Sequence, residues 1–171
     1  MTGALALVRT WSSLSAPALD DLVGDLRADF VPPLRQVAPA GLGLVGLPRW
    51  HGKRFAWSGP AELSGVNLVR ARDGSGALEE RLLMRAVRGV GLADARPAIV
   101  VTYAPDGPRP WRWVRDEVRV GPDGVLVGMS YVDRPILRHG GLPFLLRPAA
   151  TTVCPPQPPG RAGTDEPGAA P

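Results

Sequence analysis

The clearest periodic signal in the chain is the alternation of apolar and charged side chains between positions 114 and 120. Valine occupies one face of an extended segment and charged residues occupy the other: Val114, Val118 and Val120 against Arg115, Glu117 and Arg119. This alternation is typical of an antiparallel strand with one buried face. The Gly-Pro-Asp-Gly sequence at 121–124 then has proline and glycine where a type I turn favours them. Together they predict a β-hairpin.

Glycine and proline divide much of the remaining chain into short segments of strand-like composition. The predicted strands are 52–57, 66–71, 98–103, 111–120, 125–132 and 144–147. The segment 78–88 has a composition that favours a helix, but it lies between predicted strands. We interpret it as a strand, because local propensity is a weak guide.

One stretch near the N-terminus has helical spacing instead. Between positions 16 and 30, apolar residues recur every three or four positions with charged residues between them: Leu19, Leu22, Val23, Leu26 and Phe30. Ser15 can cap this helix, Pro17 suits its first turn, and Pro32 and Pro33 would end it. The spacing predicts an amphipathic helix over 16–30 that covers one end or face of a sheet.

These elements predict a mainly β (α+β) fold, a small antiparallel β-barrel or strongly curved sheet with an N-terminal amphipathic helix. We assign residues 1–153 to one β-rich domain, with the helix at 16–30 and the barrel at 46–148. A domain of this size can bury a sufficient core without disulfides or metals. Residues 154–171 are rich in proline and glycine and lack apolar periodicity, so we expect a disordered tail.

Composition limits the cellular compartments and the binding partners that the sequence supports. The single cysteine, Cys154, excludes an intrachain disulfide, and the first residues do not have the pattern of a signal peptide. We therefore predict a cytoplasmic protein without a membrane span. The net charge is +4, but every basic residue except Lys53 is an arginine and the arginines are dispersed among acids. This dispersal argues against a nucleic-acid partner. A monomer and a homodimer both fit the sequence.

A resemblance to known barrels rests on the segment 46–57, which reads GLPRWHGKRFAW, and on later segments at 66–68, 126–129 and 144–147. The stretch 46–147 resembles a bacterial family of unknown function whose members begin with a Gly-x-Trp-x-Gly type segment. More distantly it is similar to lipocalin-like and fatty-acid-binding-protein-like barrels. Here Gly46 lies four residues before Trp50 rather than two. The resemblance implies a small barrel with an interior cavity, with Trp50 plugging one end and Gly52 allowing close strand packing.

We therefore expect the barrel to bind a small hydrophobic molecule, such as a fatty acyl chain or an isoprenoid-like metabolite. Apolar and aromatic side chains would form the wall: Trp50, Phe55, Trp57, Trp113, Met129 and Tyr131. Arg54 and Arg115 are candidates for holding a ligand carboxylate at the mouth. The simpler alternative is that the aromatic residues only fill the core.

Two other functions stay open. An isomerase, cyclase or hydrolase could act in the same cavity with Asp116, Asp133 or His51 as acid or base. Asp116 shares the valine face of its strand, so its carboxylate would need a partner, and an arginine is the expected one. The alternative is that these acids form surface ion pairs. The other function is a protein-interaction module that docks a partner on the outer surface.

The sequence predicts no cofactor and no metal site. Two histidines and one cysteine are too few for a typical zinc site. In a related class of haem-binding barrels a late histidine is the axial ligand, and His139 would occupy that place here. The two glycines that follow His139 are more typical of a solvated loop.

Overall fold

The computed structural model describes residues 3–121, 123–135 and 140–149, and it contains a closed barrel of eight antiparallel strands. Each strand pairs with its neighbour in sequence, and the first strand pairs with the last. The strands are β1 Gly24–Asp29, β2 Trp50–Gly59, β3 Glu62–Arg70, β4 Leu78–Val90, β5 Pro97–Tyr103, β6 Val114–Val120, β7 Leu126–Val132 and β8 Leu142–Pro148. The predicted antiparallel barrel is confirmed, as are the β6–β7 hairpin and the strand expected at 78–88.

The helix predicted over 16–30 is wrong. Asp20–Leu22 forms a 3-10 turn and Gly24–Asp29 forms β1, in which Leu26 pairs with Lys53 on one side and Pro148 on the other. Gly24 has a φ of +98°, a conformation that interrupts a right-handed helix. The barrel therefore begins at β1 rather than at residue 46. Pairing on both edges removes the exposed edges of an open sheet, and this tertiary gain outweighs local helical propensity.

Two helices lie at positions that the periodicity did not indicate. Helix α1, Ala4–Thr10, packs with Leu7 against the outer face of the barrel. Helix α2, Leu34–Leu44, contains Pro39 and has no buried residue. The predicted N-terminal helix thus exists, but it is α1. No helix in the described part of the chain is long and apolar enough to cross a membrane.

The outer face of β7 carries a second apolar cluster, which joins α1 and the following 3-10 turn to the barrel. Its buried members are Leu7, Trp11, Val31, Val127, Met129 and Tyr131. The interior residues of β7 alternate with these, so the barrel wall is covered on both sides here. The predicted tail, 154–171, lies outside the described residues.

Candidate functional site

A cavity of about 320 Å³ occupies the half of the barrel on which α2 lies. Its wall is mainly apolar and aromatic, and it includes Phe30, Leu42, Trp50, Trp111, Val114 and Phe144. Trp50 packs against both phenylalanines, with ring centroids 5.5 Å from Phe30 and 5.6 Å from Phe144. The other half of the interior is filled by buried side chains, among them Phe55, Leu63, Ile99, Val118, Leu126 and Leu146. The cavity is therefore confined to one end.

A buried ion pair lies at the inner end of this cavity. Lys53 Nζ is 2.9 Å from Asp116 Oδ2, and the two side chains are only 1% and 2% exposed. Lys53 comes from the lead strand β2, and Asp116 comes from β6 across the barrel. Both face inward because each lies at even spacing from a core residue of its own strand, Phe55 and Val118 respectively. We call this group, with Asn67, Tyr103 and Ser130, the polar floor.

The polar floor supplies an acceptor for every N–H donor of Lys53. Its three N–H donors have three oxygen acceptors: Asp116, Tyr103 Oη at 2.9 Å and Asn67 Oδ1 at 3.2 Å. Asn67 Oδ1 also accepts a hydrogen bond from Trp50 Nε1 at 2.9 Å. Aromatic rings surround the ammonium group, with centroids 5.5 Å away at Trp50, 5.3 Å at Tyr103 and 5.9 Å at Phe144. These contacts offset the large cost of burying a charge.

The same network holds Asp116 from three sides. Tyr103 donates its hydroxyl to Asp116 Oδ2 at 3.1 Å, and Ser130 donates its hydroxyl to Oδ1. Ser130 is half-buried, whereas the other four members of the polar floor are buried. Ser130 is thus the member most accessible to a bound molecule.

Electrostatics keep Lys53 and Tyr103 protonated at neutral pH. Burial lowers the pKa of Lys53, but the Asp116 charge and the hydrogen bonds with Tyr103 and Asp116 outweigh it and leave the pKa above its usual value. Burial, followed by the Asp116 charge, raises the pKa of the Tyr103 phenol to about 12. Lys53 and Tyr103 therefore keep their protons near pH 7 and donate hydrogen bonds within the floor, and neither can serve as a base or nucleophile.

No protein-family model matches this chain, and no curated protein matches it. The chain is similar in fold to a protein from Thermomonospora curvata. The two structures align with a TM-score of 0.60 at 20% sequence identity, over 85% of this chain and 86% of that one. This likeness concerns the fold alone. It agrees with the small barrel that the sequence resemblance implied, and membership of the Gly-x-Trp-x-Gly family stays a prediction.

Of the six aromatic and apolar residues expected to form the wall, the structure places Trp50 and Tyr131 at the cavity. Tyr131 also belongs to the outer cluster with Met129. Phe55 is buried in the filled half of the barrel. Trp57 is 46% exposed near the end of β2 away from Trp50, and Trp113 is stacked by Arg109, Arg112 and Arg134.

The expected carboxylate anchors lie outside the cavity. Arg54 Nε is 2.5 Å from Asp25 Oδ1, and its Nη1 is 2.7 Å from Glu80 Oε1. Arg115 pairs with Glu117 on the outer side of β6. Arg54 follows the inward-facing Lys53, and Arg115 precedes the inward-facing Asp116. Because side chains alternate along a strand, both arginines face outward.

Among the three acid or base candidates, Asp116 alone borders the cavity. Its partner is Lys53, not the expected arginine. Asp133 is exposed just after β7, and His51 lies at the irregularity between Trp50 and Gly52 without lining the cavity. Burial and the neighbouring Arg70 and Arg27 charges lower the pKa of His51. His139 lies outside the described residues.

Gly52 lies where two strands approach closely, as the sequence resemblance implied. A Cβ added there would stand 1.9 Å from the Leu26 carbonyl oxygen of β1. Only glycine permits β1 to pair at this point, and β1 is the strand that closes the barrel.

Sequence reasoning missed Lys53, Asn67, Tyr103, Ser130 and Trp111 as site residues. The first four could have been found by extending the strand period inward, as Lys53 lies two positions from the core residue Phe55. Asn67 lies two positions from Val69, Tyr103 two from Val101, and Ser130 shares the inward face of β7 with Gly128. Trp111 has no such signal, because it lies in a 3-10 turn before β6. Its Nε1 donates to the Val45 carbonyl oxygen at 2.6 Å and thereby holds the segment after α2 over the cavity.

A second buried charge network lies on the outer side of β6. Arg119 is fully buried and makes two hydrogen bonds to Asp94, at 2.6 and 2.8 Å. Its guanidinium lies 4.4 Å from the Trp11 ring centroid and also donates to the Trp11 carbonyl oxygen at 2.9 Å. This network attaches the N-terminal segment to the barrel, so its role is structural.

Proposed function

We propose that this protein binds a small, largely apolar molecule, a short acyl or isoprenoid-like compound, in the barrel cavity. The observation that carries the proposal is the cavity itself: an aromatic and aliphatic wall that ends on a compact polar floor. Ligand pockets combine an apolar lining with a few convergent polar groups in this way. The wall would supply affinity and the polar floor would orient the molecule.

The dimensions of the cavity favour a compact ligand. A volume of about 320 Å³ lies near the lower end of the roughly 300–1,000 Å³ range of ligand pockets. The polar floor and the filled core beneath it close the inner end, so a long acyl chain would project past α2. We therefore expect ligands of about eight to twelve carbons to bind better than long-chain ones, as their apolar surface would be fully enclosed.

Helix α2 is the element that would admit the ligand. Ala38, Gly41 and Leu42 contribute to the cavity wall, yet none of the residues of α2 is buried. An element with so little buried apolar surface opens at low free-energy cost. Pro39 further weakens it by removing a helical hydrogen bond.

The test is binding of the neutral fluorescent probe N-phenyl-1-naphthylamine to the purified full chain. Ala38→Trp places a large side chain at the cavity wall and should abolish probe binding. Ala40→Trp lies on the same helix, is exposed and does not line the cavity, so it is the matched control and should bind normally. Equal binding by both variants would place the probe elsewhere and contradict the proposal.

Catalysis in the same cavity is the second candidate, and the arrangement around Asp116 favours it. The Asp116 carboxylate lines the cavity and keeps a free lone pair on Oδ1, which could take a proton from one carbon of a substrate and return it to another, as in an isomerase. Native mass spectrometry of wild type and Asp116→Asn, each purified from the same host, separates the two functions. A molecule retained by Asp116→Asn that the wild type converts to a product on incubation indicates chemistry, and a molecule that both proteins release unchanged indicates binding alone.

A further inference from the structure

The hydrogen-bonding capacity of the polar floor indicates what kind of head group it accepts. Lys53 has no donor left, since its three N–H groups already contact Asp116, Tyr103 and Asn67. Among the described residues, a ligand carboxylate would therefore find no free cationic donor at this end of the cavity. It would also lie close to the Asp116 carboxylate.

On its Ser130 side the free hydrogen-bonding capacity of the floor consists of acceptors, whereas Asn67 Nδ2, which donates to Tyr103 Oη at 3.4 Å, keeps one further N–H. Ser130 uses its proton in the bond to Asp116 Oδ1, so both lone pairs of its hydroxyl oxygen stay available. Asp116 Oδ2 already accepts from Lys53 and Tyr103, whereas Oδ1 accepts from Ser130 and has a second lone pair. Ser130 and Asp116 both line the cavity. A ligand group that reaches them must donate a hydrogen bond.

Charge balance sets the second requirement. Lys53 and Asp116 neutralise each other within 2.9 Å, so the polar floor carries no net charge. A charged head group would bring an uncompensated charge into an apolar cavity, at a large desolvation cost. An ammonium head would in addition approach Lys53, which lies directly behind Asp116. An uncharged donor avoids both costs.

From these three observations we infer that the ligand carries an uncharged hydrogen-bond donor, an alcohol hydroxyl, that donates its proton to Ser130 Oγ. This inference rests on the proposed function and narrows it from small apolar molecules in general to compact apolar alcohols. It also replaces the carboxylate head group expected from the sequence.

The test compares ligands that differ only in the head group. Geraniol, geranic acid, geranylamine and the parent hydrocarbon share one ten-carbon body, and octanol, octanoic acid and octylamine form a second series. Each compound competes against N-phenyl-1-naphthylamine on the full chain at pH 8. We expect the alcohol to bind about 2- to 10-fold more tightly than the hydrocarbon. We expect it to bind at least about tenfold more tightly than the acid and the amine.

Matched serine variants locate the effect. Ser130→Ala should remove the advantage of the alcohol over the hydrocarbon and leave the hydrocarbon affinity unchanged. Ser64→Ala is the control, because Ser64 is exposed on the outer face of β3, and it should preserve the advantage.

The outcomes distinguish this inference from the proposed function. An acid or amine that binds as tightly as the alcohol, or an alcohol advantage that survives in Ser130→Ala, would overturn the inference while the cavity remains a ligand site. A probe that binds but is displaced by neither series would also overturn the inference and leave the cavity as a ligand site. Failure of the probe itself to bind would overturn the proposed function, and the inference with it.

Discussion

Removing one member of the buried ion pair should destabilise the protein far more than removing both. Asp116→Asn keeps the shape of the side chain and an acceptor for Ser130, but it leaves the Lys53 ammonium without its counterion. Lys53→Met leaves the Asp116 carboxylate unpaired. Each partner is at most 2% exposed, so neither charge can recover its hydration without local opening.

The magnitudes follow from this burial. Breaking a buried pair from one side costs about 3–5 kcal/mol, whereas replacing both members by neutral residues is often close to neutral. In the Lys53→Met/Asp116→Asn double variant, Tyr103 loses one donor and Asn67 loses another, each worth about 0.5–1.5 kcal/mol. We expect the double variant to cost about 1–3 kcal/mol, which is less than either single variant. Urea unfolding of all four proteins gives the coupling free energy.

The pH dependence of the same variants provides a second check. In the wild type the pKa of Lys53 is raised above its unfolded value of 10.5, so its stabilisation is fully present below that pH and is lost as pH rises further. In Asp116→Asn, burial is no longer offset and should depress the pKa of Lys53 below the unfolded value. The unfolded chain then binds more protons, and the stability of this variant should increase with pH between about 6 and 10.

Two results would refute this reasoning. One is a double variant that costs as much as the sum of the single variants, because that additivity would mean that the two charges do not interact. The other is an Asp116→Asn variant with the wild-type pH dependence below pH 10. Either result would show that water reaches the polar floor and screens the pair.

Two further perturbations test the barrel around the site. Gly128→Ala would place a Cβ 2.1 Å from the Phe144 ring. It should lower the free energy of unfolding in urea by about 1–3 kcal/mol, and it should weaken probe binding because Phe144 lines the cavity. Gly43→Ala is the control: its Cβ would meet no atom within 4 Å, so it should not destabilise the protein. The hydrogen bonds from Arg119 hold the pKa of Asp94 below its usual value, so their stabilisation is present above about pH 4 and lost in acid. Asp94→Asn should therefore be less stable than the wild type at pH 7, and its free energy of unfolding should fall less than that of the wild type between pH 7 and pH 3. An equal fall in the wild type and the variant would argue against this ion pair.

The fold class was predictable because the sheet signals are local. Alternation along 114–120, the turn residues at 121–124 and the short glycine-bounded segments each indicate a strand without knowledge of the rest. The same local reasoning failed for β1. Its apolar residues fit a helical period as well as a strand, and the decision came from the two partners that it joins, β2 and β8.

The candidate site was predictable only in part, since strand period gives the face of a residue but not its partner. Alternation placed Asp116 inside, and it also suffices to place Arg115 outside. It could not reveal that Lys53, separated by 63 positions from Asp116, would supply the counterion. The positions of Asn67, Tyr103 and Ser130 around that pair depend on the register of four strand pairings.

By itself the sequence determined that this chain forms antiparallel strands, and it determined which face of β6 carries valine and a single carboxylate, because side-chain direction in a strand follows from position along it. Only the tertiary structure decided that the sheet closes through β1, that one half of the interior is filled while the other is open, and that Lys53 and Asp116 meet. These features depend on long-range pairing and on the volumes of side chains from different strands. No local pattern encodes that information.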